Sequence, residues 1–231
     1  MNTIAAARST AGLARWAALG GILYVVLFIA GTILLFSGEP DSDASPAKVI
    51  AYYSDSGHRD RIQIGWLVAG LGIFFFLWFL SSLRRTVRRH EGEDGFLTAL
   101  TTIGGVVYAT LAFAAIAVNV GIRTMSDDTY HHTVFPGLIH AADDAGYVLH
   151  ATGGAGASAM IIAASLAFLR SGVIRPWAGW LGVAAGILAL ASIAFFPQAA
   201  IALWILVVSG LLFARSARDV PTHTGAWRPR A

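Results

Sequence analysis

Long runs of apolar residues, each closed by polar or charged residues, set the pattern of this chain. Six such runs occur, at residues 16–36, 62–83, 96–122, 145–169, 177–196 and 199–214. A helix needs about 20 mostly apolar residues to cross the roughly 30 Å of bilayer hydrocarbon. It also satisfies its backbone hydrogen bonds internally, which lipid requires. The pattern therefore predicts an all-α polytopic membrane protein with six transmembrane helices.

The segments outside the runs predict one further helix. Ser45 precedes Pro46, an N-cap residue followed by proline at the first helical position. Val49, Ile50 and Tyr53 then fall on one face, so residues 46–55 are expected to form a short amphipathic helix at the outer interface, acting as a structural lid. The first run is too long for a signal peptide and is expected to be a retained helix. Residues 215–231 are polar and are predicted to form a disordered cytoplasmic tail.

Composition and charge support this architecture and orient it. Hydrophobic residues make up 56% of the chain and charged residues 13%. Twelve of the 16 Lys and Arg residues lie in the segments 1–15, 84–95, 170–176 and 215–231, on one predicted side. The positive-inside rule then places both termini in the cytoplasm. We expect the protein to lie in the plasma membrane. Because the basic residues cluster at the ends of apolar runs, we expect no nucleic-acid partner.

A candidate binding site lies at the outer end of the third and fourth predicted helices. Asn119 and Arg123 share one helix face, while Tyr147 and His150 lie on the next helix, where Asp143 and Asp144 are close in sequence. Polar groups at that depth should face the bundle interior or a water-filled cavity. We therefore expect an outward-open polar cup that binds a small ligand or lipid. The alternative is an interhelical hydrogen-bond cluster that only fixes packing.

The histidines allow a second interpretation, a membrane-embedded enzyme that uses a divalent transition metal. Imidazole and carboxylate groups are accepted ligands of such metals. The candidate ligands are His140, Asp144 and His150, joined by His131 or His132. Their spacing matches no established metal-binding motif. A protein without enzymatic activity is the favoured expectation.

Other features limit the possible functions. No Asp, Glu, Lys, Arg or His lies at the centre of any run, which argues against ion-coupled transport. The absence of cysteine excludes disulfides and thiolate metal sites. Glycines 153, 154 and 156 of the fourth predicted helix, with Gly182 and Gly186 of the fifth, allow close helix contact. That contact lies within one chain, or it forms the interface of a homo-oligomer or of a membrane complex in which the protein is a structural subunit.

The first half of the chain, to about Gly121, also carries a resemblance. SPAKVIAYY in the first outer loop is followed by GWLVAGLGIFFFLWFLSSLRR. This order resembles that of uncharacterised six-helix integral membrane proteins of actinobacteria. The resemblance implies a bacterial membrane protein of this topology, and it implies no catalytic residues.

Overall fold

The computed structural model describes the backbone of residues 2–92, 94–124, 131, 133–192, 194 and 196–218, and side chains from Trp16 to Arg215 within these ranges except that of Phe196. All regular structure in this part of the chain is helical. The helices are α1 (Asn2–Phe36), α2 (Pro46–Ser54), α3 (Ser56–Glu91), α4 (Phe96–Thr124), α5 (Pro136–Arg170), α6 (Pro176–Ala189) and α7 (Phe196–Arg218).

Five of these helices are long and apolar enough to cross a membrane, and α6 is a shorter apolar helix. The predicted all-α polytopic membrane architecture is therefore confirmed. Both α3 and α5 begin before their apolar runs, at Ser56 rather than residue 62 and at Pro136 rather than residue 145. The added segments carry polar residues, SGHRDR in α3 and His140, Asp143 and Asp144 in α5, and such residues are expected outside the hydrocarbon.

The boundary between the last two helices differs from the prediction. The apolar run 177–196 predicts one long helix, but α6 ends at Ala189 after 14 residues. Next, α7 begins at Phe196 rather than residue 199, because Pro197 fits the first helical turn, where no backbone N–H is needed. Alone, α6 covers only about 21 Å.

The turns that follow α6 complete its path along α5. Gly179 packs against Leu169 near the end of α5, and Ser192 packs against Gly154 near its middle. About 15 residues of α5, or roughly 22 Å, separate these two contacts. The chain therefore runs antiparallel to α5 through α6 and residues 190–192, and Gln198 in the first turns of α7 lies beside His150 of α5.

Contacts between helices place several chain segments at one end. Gly20 of α1 packs against Phe75 and Phe79 of α3, and Gly21 packs against Ser209 of α7. Arg215 of α7 donates a hydrogen bond to the Val173 carbonyl, in the loop between α5 and α6. We call this the inner end. The other end, which holds α2 and the loops beside it, is the outer end.

Small residues bring the helix backbones together. A Cβ atom on Gly104 of α4 would lie 2.5 Å from the Gly156 carbonyl oxygen of α5, and one on Gly156 would lie 2.7 Å from the Gly104 oxygen. On α6, Gly182 packs against Ser165, and Gly186 packs against Ile162 of α5. These glycine-rich faces are thus used within the chain, and the homo-oligomer or complex interface stays a prediction.

The short helix α2 covers the outer end. It forms where predicted, with Pro46 in its first turn, although Ser45 makes no side-chain cap hydrogen bond. Val49 and Tyr53 are fully buried, whereas Ile50 is exposed. The three residues lie within about 100° of arc, but only Val49 and Tyr53 face the bundle, and Ile50 lies at the exposed edge of this apolar face.

Candidate functional site

Arg123, in the last turn of α4, is the centre of a buried polar cluster at the outer end. Its Nε donates to the Tyr53 hydroxyl at 3.0 Å, and its Nη1 donates to Asn119 Oδ1 at 2.7 Å. Its Nη2 donates to one carboxylate oxygen each of Glu39 and Asp143. The guanidinium therefore joins α4 to the loop after α1, to α2 and to α5. We call these five residues the Arg123 cluster.

Local helix geometry explains how Asn119 and Arg123 meet. They are four residues apart, so their side chains lie on the same face of α4. Asn119 Nδ2 donates to the Ala115 carbonyl at 3.0 Å, which fixes the amide with its oxygen towards Arg123. On the facing helix, a Cβ atom at Gly146 would overlap Asn119 Nδ2. The missing side chain at position 146 thus makes room for the amide.

Charges in the Arg123 cluster do not balance. The side chain of Arg123 is 1% exposed, that of Glu39 17% and that of Asp143 36%. Burial raises the pKa of the Tyr53 phenol, so this group stays neutral; it donates to Glu39 while it accepts from Arg123. With both carboxylates ionised, the cluster carries one net negative charge. The guanidinium is buried, whereas the two carboxylates are partly exposed to solvent at the outer end.

A cavity of about 170 Å³ lies against the two carboxylates, beneath α2. Its polar lining comprises Glu39, Ser42, Tyr53, His140 and Asp143, and Val49 contributes to its apolar wall. Arg123 does not line it. The cavity therefore presents carboxylate groups, and the compensating positive charge stays inside the protein. We call this cavity the outer pocket.

The structure brings together only part of the predicted cup. Asn119, Arg123 and Asp143 meet in the Arg123 cluster, whereas Asp144 is exposed and Tyr147 is 47% exposed and is not one of the hydrogen-bonded members of the cluster. His150 is seven residues beyond Asp143, about 10.5 Å along the axis of α5. Its ring stacks on Phe28 with 5.8 Å between centroids. It thus belongs to a deeper aromatic group.

Two members of the cluster were not anticipated, Glu39 and Tyr53. Glu39 stands three residues after the end of α1, so its position at the outer boundary was visible in the sequence. Tyr53 lies on the buried face of α2. Tyr53 lies in the predicted lid, and Glu39 lies in the loop just before it. Their contact with Arg123 could not be predicted, because they are 70 and 84 residues from it in the sequence.

The residues proposed as metal ligands are spread out. His140 and His150 are ten residues apart on α5, about 15 Å along its axis. His131 lies in an exposed turn with φ of 49°. Asp144 is exposed on α5, and His132 lies outside the described residues. Within the described ranges no three His, Asp or Glu residues form a group that could hold a metal ion.

Comparison with protein-family models, curated proteins and solved structures gives no match. The chemistry of the Arg123 cluster and the outer pocket is therefore the basis for assigning a function.

Proposed function

We propose that this integral membrane protein binds a small organic cation in the outer pocket. The observation that carries the proposal is the charge arrangement. Glu39 and Asp143 both open into the pocket, and the one guanidinium that they share is buried behind them. A positively charged ligand would compensate the remaining negative charge.

Hydrogen-bonding capacity supports an ammonium group as the charged part of the ligand. Arg123 contacts one oxygen of each carboxylate, Glu39 Oε1 and Asp143 Oδ1. An ammonium group offers three donors for the other carboxylate oxygens, and charge-assisted hydrogen bonds of this kind are the stronger ones. Ser42 and Tyr53 add hydroxyl groups to the same lining.

Pocket size limits the rest of the ligand. A cavity of about 150 Å³ is known to accommodate benzene. At about 170 Å³, the outer pocket therefore fits a molecule of roughly six to eight non-hydrogen atoms. Val49 gives the cavity an apolar wall, which suits a short alkyl chain.

The distribution of basic residues supports an extracellular position for the pocket. In the sequence, 12 of the 16 Lys and Arg residues fall in the segments 1–15, 84–95, 170–176 and 215–231, whose described helix ends lie at the inner end. By the positive-inside rule this end, with both termini, lies in the cytoplasm of a cell whose plasma membrane holds the protein. The ligand then enters from outside the cell.

Titration of the purified protein in detergent with methylammonium, ethanolamine and choline tests the proposal, with acetate as the anionic counterpart. We expect saturable binding of at least one ammonium compound by calorimetry and none of acetate. Asp143→Asn should weaken that binding roughly 10- to 100-fold, because a hydrogen bond to a charged group contributes about 1.5–3 kcal/mol.

Asp144→Asn is the matched control. Asp144 neighbours Asp143 in sequence but is exposed and does not line the pocket, so its substitution should leave affinity within about twofold of the wild type. Equal losses for the two variants, or no saturable binding of any of the three cations, would refute the proposal. Thermal unfolding of each variant separates lost binding from lost folding.

A further inference from the structure

A second charged feature lies at the inner end, around the loop between α5 and α6. Arg170 ends α5, and Arg175 precedes α6; both side chains are exposed. Arg215 reaches the loop from α7 and donates to the Val173 carbonyl. Three guanidinium groups thus belong to one short loop and the helix end that packs on it. We call this set the inner arginine site.

Among the residues that the structure describes, no acidic side chain pairs with these three arginines. The chain contains no Asp or Glu between Ala145 and Arg218. Glu91, at the inner end of α3, is already engaged by the backbone N–H groups of Leu97 and Thr98. The positive N-terminal end of α6 lies at the same loop and adds to the potential.

An apolar surface continues directly from the inner arginine site. Trp177 and Trp180 are three residues apart on α6, and both are exposed. Further along the helix, Leu181, Ile187 and Leu188 are exposed as well. Tryptophan is enriched at the depth of lipid headgroups, and exposed aliphatic side chains below it suit acyl chains. The surface therefore changes from cationic to amphipathic to apolar over the length of α6.

We propose that the inner arginine site binds the headgroup of an anionic phospholipid, whose acyl chains lie along the exposed face of α6. The phosphodiester receives hydrogen bonds from Arg170 and Arg175, and guanidinium forks suit phosphate oxygens. Arg215 holds the loop through Val173 and supplies the third charge. This proposal is independent of the outer pocket.

Native mass spectrometry of the detergent-solubilised protein, titrated with dioleoylphosphatidylglycerol or dioleoylphosphatidylcholine, tests it. We expect preferential retention of phosphatidylglycerol by the wild type. The double variant Arg170→Gln/Arg175→Gln should lose roughly 30-fold in phosphatidylglycerol affinity, since each basic residue near a charged headgroup contributes about one factor of five. Affinity for phosphatidylcholine should not change.

Arg84→Gln/Arg89→Gln is the matched control, because it removes two exposed arginines from α3 at the same end of the bundle. It should change phosphatidylglycerol affinity by less than about threefold if binding is local rather than a response to net charge. Equal effects of the two double variants, or equal retention of both lipids by the wild type, would overturn the proposal. Displacement of the lipid by millimolar inorganic phosphate alone would identify a free-phosphate site instead and would also overturn it.

Discussion

At the scale of single residues, Gly146 determines whether the Arg123 cluster can form. A methyl group at this position would overlap the Asn119 amide, which holds Arg123 Nη1. We expect Gly146→Ala to lower the free energy of unfolding by about 1–3 kcal/mol, the usual result of adding a methyl group to a packed contact. Equilibrium unfolding in detergent, followed by tryptophan fluorescence, measures the change.

Gly137→Ala, on the same helix, provides the comparison. No atom lies within 4 Å of a Cβ atom built at position 137, so the substitution should cause no loss of stability. In the double variant Asn119→Ala/Gly146→Ala, the overlap is absent, and the combined loss should be smaller than the sum of the two single losses. A strictly additive result would show that Gly146 and Asn119 do not act on each other.

The sequence predicted the residues of the site that share a helix and missed those that come from elsewhere. Asn119 and Arg123 were identified because their spacing and depth are properties of α4 alone. Glu39 and Tyr53 join them only because the loop after α1 and α2 pack on the bundle. Hydrophobic periodicity within one helix does not predict such packing between distant segments. Tyr147 was included because it shares a helical arc with Asp143, but its side chain is 47% exposed and does not join the cluster, which helical phase alone could not show.

At the scale of helices, a close backbone contact between α4 and α5 depends on the pair Gly104 and Gly156. A Cβ atom on Gly156 would meet the Gly104 carbonyl oxygen and the Tyr108 backbone nitrogen, at 2.7 and 2.9 Å. Backbone atoms cannot move aside as a side chain can, so Gly156→Ala should separate the helices locally. We expect a loss of about 2 kcal/mol or more in unfolding free energy.

Gly210→Ala on α7 is the corresponding control, because no atom lies within 4 Å of a Cβ atom built there. It should be neutral or slightly stabilising, since alanine favours helix more than glycine does. If Gly156→Ala were as neutral as this control, the two helices would not be in backbone contact at that level.

Helix boundaries show where a hydropathy pattern stops being informative. The run 177–196 is continuously apolar, and nothing in its hydropathy marks the end of α6 at Ala189. Five of the six runs nevertheless correspond to helices long enough to cross a membrane, because burial in lipid demands apolar length regardless of how helices pack. The apolar pattern does not predict the turn after Ala189, where Ser192 packs against Gly154, because the residues on both sides of this turn are apolar.

At the scale of the whole molecule, the N- and C-termini lie on the same side of the membrane only if α6 and the turns after it cross the bilayer. Because α6 has only 14 residues, the turns after it must complete the crossing. The natural absence of cysteine allows this to be tested with single-cysteine variants and a membrane-impermeant maleimide. Ser42→Cys reports the loop before α2, Asp94→Cys the loop before α4, Ala194→Cys the turn before α7, and Thr222→Cys the segment after α7.

With six crossings and a cytoplasmic inner end, intact cells should show labelling at positions 42 and 194 only. Positions 94 and 222 should label after permeabilisation, since positive charge keeps their segments inside. Labelling of position 222 but not 94 in intact cells would mean that α6 does not cross and that only five helices span the bilayer. Labelling of 94 and 222 without 42 would mean that the whole bundle is inverted, which would place the outer pocket in the cytoplasm.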